Sequence, residues 1–210
     1  MKKCLFHIAV CAFLWGALMA SCARNLVLDV EGGQIEGVVD EEGIVVYRGI
    51  PYAAPPVGEL RWKQPQPVQP WDGVKKCDRF GAASLQGGQT KGSFYWKEFY
   101  QDGNPEMSED CLYLNVWTPA PGKIDSKLPV MVWIHGGAFQ NGFGHEIEFD
   151  GDAYAKKGVV LVTLNYRLGM CGFWAHPLLT AENAGKGSGN YGLFDPVSYT
   201  HLRAHETLAN

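Results

Sequence analysis

Residues 128–139 read LPVMVWIHGGAF, and this stretch decides the fold. The run 130–134 is short, apolar and partly β-branched, and it lies between Pro129 and a glycine pair. These features favour a strand buried on both faces over a helix. Gly136 and Gly137 remove two side chains where the chain leaves the strand, so backbone N–H groups can approach a ligand. Two such donors can stabilise a developing oxyanion, although an ordinary glycine-rich junction has the same composition.

Composition places the chain among ordinary globular proteins. It has 210 residues, of which 46% are hydrophobic and 19% charged, and its formal net charge is −4. This length allows one domain with a real core, and the absence of a basic field argues against a nucleic-acid partner. No Cys or His cluster has zinc-like spacing, so the sequence offers no candidate zinc site.

The first 23 residues have the pattern of a signal peptide. Lys2 and Lys3 precede a mostly apolar run over residues 5–19, and small residues follow. The pattern predicts a secreted or periplasmic protein, the alternative being an anchor helix that is retained. The stretch Met19-Ala20-Ser21-Cys22 also resembles a bacterial lipobox, which would make Cys22 a lipidated N-terminus and the protein a membrane-anchored lipoprotein. Simple secretion and lipidation both remain open, and a lipid at Cys22 would be the only contact with a membrane.

The rest of the chain alternates short strands with irregular segments. Residues 26–47 predict a small antiparallel meander, and 111–117 a further strand. A helix over 149–157 between apolar runs at 130–134 and 159–164 predicts a βαβ unit in a parallel sheet. The proline-rich segment 48–71 and the aromatic-rich segment 81–103 are expected to be ordered loops. The pattern therefore predicts an α/β fold.

Five sequence blocks in order resemble the type-B carboxylesterase and cholinesterase family of α/β-hydrolases. The blocks are YRGIPYA at 47–53 continuing to Arg61-Trp62, SEDCLYLN at 108–115, VMVWIHGGAF at 130–139, NYRLG at 165–169, and GNYGL at 189–193. A strand ending in His-Gly-Gly also matches the oxyanion-loop signature of lipases and esterases. The match covers about residues 25 to 195.

The resemblance implies both a fold and an activity. It implies that residues 24–195 are the N-terminal portion of a carboxylesterase domain, in which the meander leads into the first strands of a central mixed, mostly parallel sheet that is incomplete here. The full-length parent would hydrolyse small-molecule carboxylic esters by a serine nucleophile through an acyl-enzyme, without a cofactor. Gly136 and Gly137 would supply oxyanion-hole N–H groups. His135 would have a structural role in this family rather than that of the catalytic base.

The resemblance also implies three structural pairings. Cys77 and Cys111 match the family's first disulfide. Two buried salt bridges are implied as well, one between Arg48 and Glu109 and one between Arg167 and Asp195.

The catalytic serine is missing from the sequence. No serine has glycine at both the −2 and +2 positions, as the Gly-x-Ser-x-Gly elbow requires. Residues 196–210 depart from the family pattern, and we expect a foreign tail joined to a truncated gene. The chain by itself is then expected to be an inactive fragment. Two other classes stay open: a non-catalytic cholinesterase-like module for binding or adhesion, and a surface lipoprotein that binds carbohydrates or esters.

Overall fold

The structure is a computed structural model that describes residues 26–100, 103–119 and 127–208, with side chains described as far as residue 199. The predicted signal peptide, and with it Cys22, lies outside the described residues. Within these ranges no helix has the length and apolar character needed to cross a membrane.

Ten strands and five helices make up the described chain. The strands are β1 Val27–Val30, β2 Gly33–Glu36, β3 Val38–Val39, β4 Val45–Pro51, β5 Val74–Lys76, β6 Ala83–Ser84, β7 Met107–Ser108, β8 Tyr113–Thr118, β9 Val130–Ile134 and β10 Val160–Leu164. The helices are α1 Phe94–Glu98, α2 Asp152–Ala155, α3 Gly169–Phe173, α4 Pro177–Glu182 and α5 Tyr191–Leu208. Two 3₁₀ turns span Gly58–Leu60 and Ile147–Phe149.

A five-stranded mixed sheet in the order β3-β4-β8-β10-β9 forms the centre of the fold. Neighbouring strands of this sheet are antiparallel, except for β9 and β10, which are parallel. The chain passes through α2 between these two strands. The predicted βαβ unit is therefore confirmed, although its helix is shorter than expected. The meander is divided, because β1 and β2 join β5 in a separate three-stranded sheet.

Strand β9 is an edge strand, and four of its residues are only partly buried while the fifth is exposed, which corrects the expectation that it is buried on both faces. Within the described residues it pairs only with β10, and Ile134 keeps 51% of its surface exposed. Strand β10 lies between β8 and β9 and buries four of its five residues. The apolar run at 130–134 therefore has one hydrogen-bonding edge without a neighbouring strand in the described chain.

The core covers both faces of the central sheet, because successive side chains of a strand point to opposite faces. One face carries Tyr47, Leu112 and Leu164, packed with the three-stranded sheet. The other face carries Trp117 and Leu161, packed with α2. Strands β9 and β10 are parallel and paired over their full lengths, so the chain leaves both strands at the same end of the sheet.

A buried ion pair lies just beyond that end. The Arg167 guanidinium reaches both carboxylate oxygens of Asp195 in α5, with Nη2–Oδ1 at 2.6 Å and Nε–Oδ2 at 2.9 Å, and the two side chains are 2% and 0% exposed. Arg167 Nη1 also donates to the carbonyl of Lys63. The predicted pairing is thus present, and it joins the exit of β10 to α5 and to the proline-rich segment.

The second predicted salt bridge is wrong. Glu109 pairs with Arg61 through both carboxylate oxygens, at 2.5 Å from Nε and 2.5 Å from Nη2. The Arg48 guanidinium instead lies over the ring of Phe80, 5.3 Å from its centre. Two arginines thirteen positions apart flank the same loop, and the fold brings the later one to the carboxylate.

The predicted disulfide is not formed in the structure, where Cys77 and Cys111 are both free, buried cysteines. The Cys111 thiol hydrogen-bonds with the side chain of Ser84, and burial raises its pKa. Cys77 continues the line of β5, where its N–H donates to the carbonyl of Glu36. Both side chains belong to the same buried hydrophobic cluster without being bonded to each other.

Removing the buried carboxylate should strongly destabilise the protein. Asp195→Asn would leave the Arg167 charge uncompensated, so we expect the free energy of unfolding to fall by about 3–5 kcal/mol. Urea unfolding followed by circular dichroism measures it. Glu182→Gln, which breaks the exposed Lys63–Glu182 pair, is the matched control and should have a much smaller effect. Equal effects of the two substitutions would contradict the central role of the buried pair.

Candidate active site

The chain leaves β9 in a tight turn of unusual backbone geometry, residues 135–142, called here the glycine loop. Gly137, Ala138 and Phe139 have φ angles of +101°, +54° and +61°, three successive residues in the left-handed region. A Cβ built on Gly137 would lie 1.9 Å from the carbonyl oxygen of Asn141, whereas one on Gly136 would meet nothing within 4 Å. Glycine is thus required at 137 by the turn itself, and at 136 the space above the backbone is open.

The turn leaves two backbone donors free. The Gly137 carbonyl accepts hydrogen bonds from the N–H groups of Gln140 and Asn141, at 3.0 and 3.1 Å. Among the described residues, no acceptor engages the N–H of Gly136 or Gly137. Both glycines are exposed, so these donors are accessible to a ligand. Paired free donors at the end of a strand are suited to binding a negatively charged oxygen.

His135 holds the peptide between the two glycines. Its Nδ1 lies 2.9 Å from the Gly136 carbonyl oxygen, and because a carbonyl can only accept, Nδ1 carries the proton. The ring stacks on Tyr166 at 4.4 Å, and the Tyr166 hydroxyl donates to the His135 carbonyl at 2.9 Å. Burial lowers the pKa of His135 to about 4. The ring is therefore neutral at physiological pH and acts as a brace for the loop.

An apolar cavity of about 300 Å³ lies beside the glycine loop. Its walls are residues of the loop, Tyr166 at the exit of β10, and Gly192, Leu193 and Pro196 of α5. Because the loop and the strand exit share one end of the sheet, this cavity lies at the place where open α/β sheets bind ligands.

Burial shifts the pKa values of two groups that follow the loop. His145 stacks on Phe80, and burial lowers its pKa to about 4. Burial raises the pKa of Glu146 to about 7. No group of three or more described His, Cys, Asp or Glu residues could hold a metal ion.

Two supports of the loop carried no signal at the sequence level. Tyr166 stood out only as one letter of the NYRLG block, and Gln86 lay within a polar segment without periodicity. The structure brings both to the glycine loop from distant parts of the chain. The predicted site residues Gly136 and Gly137 lie together at this site. The other predicted residues do not line its cavity: Cys77, Cys111, Arg48, Glu109, Arg167 and Asp195.

The sheet, the helices and the open glycine loop define the N-terminal part of an α/β-hydrolase. Comparisons with known proteins support this class. The sequence model of the carboxylesterase family matches residues 24–198. The chain therefore belongs to the carboxylesterase family.

Individual relatives share about two fifths of their aligned residues with this chain. It is 44% identical to fumonisin B1 esterase of Sphingopyxis macrogoltabida over 83% of this chain and 30% of that protein. It is 43% identical to para-nitrobenzyl esterase of Bacillus subtilis over 70% and 28%. A solved structure of PNB esterase superposes with a TM-score of 0.72 at 36% identity, covering 85% of this chain and 34% of that one. The chain thus spans about a third of the length of the relatives it matches.

Alanine should be tolerated at one glycine and not at the other. Gly136→Ala meets open space and should leave the free energy of unfolding within about 0.5 kcal/mol. Gly137→Ala combines a left-handed backbone with a collision against Asn141, so it should cost about 2 kcal/mol or more. Chemical unfolding of the two variants beside the wild type measures the contrast, and similar losses in both would contradict the loop geometry.

Acidification should destabilise the protein through His135. The pKa of His135 is about 4 in the folded state, against 6.5 when unperturbed, so its stabilising contribution is present above pH 6.5 and is lost as the pH falls towards 4. The raised pKa values of Glu146 and Asp152 act in the opposite direction. The His135→Phe variant keeps the aromatic stack but removes both the His135 titration and the Nδ1 hydrogen bond, so the readout is the change of stability with pH and not the stability at one pH. Between about pH 7.5 and about pH 4.5, urea unfolding should show a larger loss in the wild type than in the variant. Parallel losses would contradict burial of a neutral imidazole.

Proposed function

We propose that the protein containing this chain hydrolyses small-molecule carboxylic esters through a serine nucleophile and an acyl-enzyme. The single observation that carries the proposal is the pair of free, exposed N–H groups of Gly136 and Gly137 at the end of β9, in a chain that belongs to the carboxylesterase family. The apolar cavity beside them would accept the uncharged part of an ester.

The proposed chemistry assigns one task to this chain. A serine Oγ attacks the ester carbonyl carbon, and the carbonyl oxygen takes up the negative charge of the tetrahedral intermediate. The N–H groups of Gly136 and Gly137 donate to that oxygen, which lowers the barrier. The intermediate then expels the alcohol, and attack of water on the acyl-enzyme releases the acid by the same route.

We assign the nucleophilic serine to a residue outside this chain. The same holds for its general base and for the acidic partner of that base. None of the serines here has the flanking glycines of a nucleophile elbow. His135 is engaged through Nδ1 and neutral, which suits a brace better than a general base. We accordingly propose that residues 1–210 alone do not turn over an ester.

The names of the relatives support the proposed class of substrate, and the N-terminal sequence supports the proposed location of the protein. The names of those relatives include a fumonisin B1 esterase and a para-nitrobenzyl esterase, which supports esters as the class without selecting one ester. The N-terminal pattern supports a secreted or periplasmic protein, with Cys22 as the residue that a lipid would modify. No nucleic-acid partner and no cofactor belong to this proposal.

The test is hydrolysis of p-nitrophenyl acetate and butyrate by the protein expressed from the complete reading frame that contains this chain. We expect turnover with a burst of p-nitrophenol equal to the enzyme concentration, because the acyl-enzyme accumulates. Gly136→Ala places a methyl group over the donors and should lower kcat/KM by roughly a hundredfold, as loss of an oxyanion contact does.

The control is stability measured on the same samples. Gly136→Ala should leave the thermal midpoint unchanged, since its Cβ has open space. A wild-type protein that shows neither burst nor turnover would overturn the proposed function and favour a binding or adhesion module. Full activity in Gly136→Ala would overturn the role given to the glycine loop.

A further inference from the structure

We propose that Gln86 is a positioning residue for the oxyanion donors, because it clamps the far end of the glycine loop and thereby fixes the direction of the Gly137 N–H. The proposal rests on the proposed function for its catalytic meaning, and its structural part stands without it. Gln86 lies in the polar segment between β6 and α1, 56 positions before Gly142.

Two reciprocal hydrogen bonds join Gln86 to Gly142. Its Nε2 donates to the Gly142 carbonyl at 2.8 Å, and its Oε1 accepts from the Gly142 N–H at 2.8 Å. A planar amide that donates to and accepts from one residue imitates the pairing of a neighbouring strand and fixes the peptides on both sides of that residue. Gly142 is buried, so water cannot readily replace these bonds.

Gly142 in turn packs against the beginning of the loop. A Cβ on Gly142 would lie 2.4 Å from His135 Nδ1 and 2.9 Å from the Gly136 carbonyl oxygen. Only the bare backbone of glycine fits there, and a shift of Gly142 towards the loop would bring it against the imidazole and the carbonyl together. The hydrogen bond between these two groups is therefore held from the side by the residue that Gln86 fixes.

The direction of the Gly137 N–H follows from the geometry of the peptide bond that it shares with the Gly136 carbonyl. The Gly136 carbonyl and the Gly137 N–H belong to one planar trans peptide, so they point in opposite directions. Fixing the carbonyl on His135 Nδ1 also fixes where the N–H points. Through Gly142, Gln86 thus restrains a donor that it does not touch.

The Gln86 side chain has two further hydrogen-bonding partners besides Gly142. Its Nε2 lies 3.2 Å from the Ser84 carbonyl, and the Tyr100 hydroxyl donates to its Oε1 at 3.4 Å. Tyr100 packs edge-on against Phe143, directly after Gly142, with ring centres 4.9 Å apart. The clamp is therefore attached to a small core of its own, which also contains Ala83.

Hydrogen exchange on the purified full chain tests the clamp directly. Gln86→Glu keeps the shape and removes the donor, and Gln86→Ala removes both bonds. In both variants we expect the hydrogen-bonded amides of Gln140, Asn141 and Gly142 to exchange at least about tenfold faster, while β10 is unchanged. Gln34→Ala is the matched control, because the side chain of that exposed glutamine bonds to Asp29 on the neighbouring strand β1 and not to the glycine loop. Unchanged exchange in the glycine loop of both Gln86 variants would overturn the clamp.

Kinetics of the complete esterase test the catalytic meaning. We expect kcat per active site, counted by burst titration, to fall roughly tenfold to a hundredfold in Gln86→Ala, with KM within about twofold, because a small misplacement of the donors weakens transition-state contacts most. The inhibition constant of a trifluoromethyl ketone, whose adduct with serine places an oxyanion at the donors, should rise by the same factor. A purely structural role predicts a lower thermal midpoint with kcat and inhibition unchanged, and that result would overturn the positioning role. If the wild type is not an esterase, the proposed function fails and the exchange result alone decides the clamp.

Discussion

The buried ion pair between Arg167 and Asp195 is the constraint on which the rest of the described fold depends. Two charges removed from water are tolerated only when their remaining hydrogen-bonding groups are satisfied, and Arg167 meets this condition through Asp195 and the carbonyls of Lys63 and Tyr191. These partners come from α5 and from the proline-rich segment. One side chain at the exit of β10 thus organises three parts of the chain that have little regular pairing with each other.

The ion pair matters for the candidate site because β9 and β10 are parallel and in register. Parallel strands end at the same edge of a sheet, so the residues that follow β10 face those that follow β9. Tyr166, next to Arg167, stacks on His135 and bonds to its carbonyl. Asn165 accepts from the Gly144 N–H, just after the glycine loop. The loop is thereby held from β10 on one side, and from Gln86 on the other.

The sequence was sufficient for β8, β9 and β10 of the central sheet and for the family, and insufficient for the short strands β5, β6 and β7 and for contacts between distant side chains. Strand β9 matches its apolar run, and β10 begins one residue inside its own, because short β-branched runs between turn residues have few alternatives. The predicted partner of Glu109 was wrong, because the order of residues in the sequence does not show which of two arginines reaches a carboxylate. The edge position of β9 depends on the order of the strands in the sheet, and a local sequence pattern carries no information about that order. The left-handed φ angles of Ala138 and Phe139 depend on the closed turn, since neither residue type prefers them.

Membership of the carboxylesterase family and an open glycine loop lead to one central claim, that the amides of Gly136 and Gly137 bind the oxyanion of an ester-hydrolysis intermediate. A crystal structure of the complete protein after reaction with a phosphonate ester tests it most directly, because the phosphonyl oxygen occupies the place of the oxyanion. The account predicts that this oxygen lies about 2.7–3.1 Å from both amide nitrogens. A phosphonyl oxygen bonded elsewhere, with both amides turned away from it, would contradict the account.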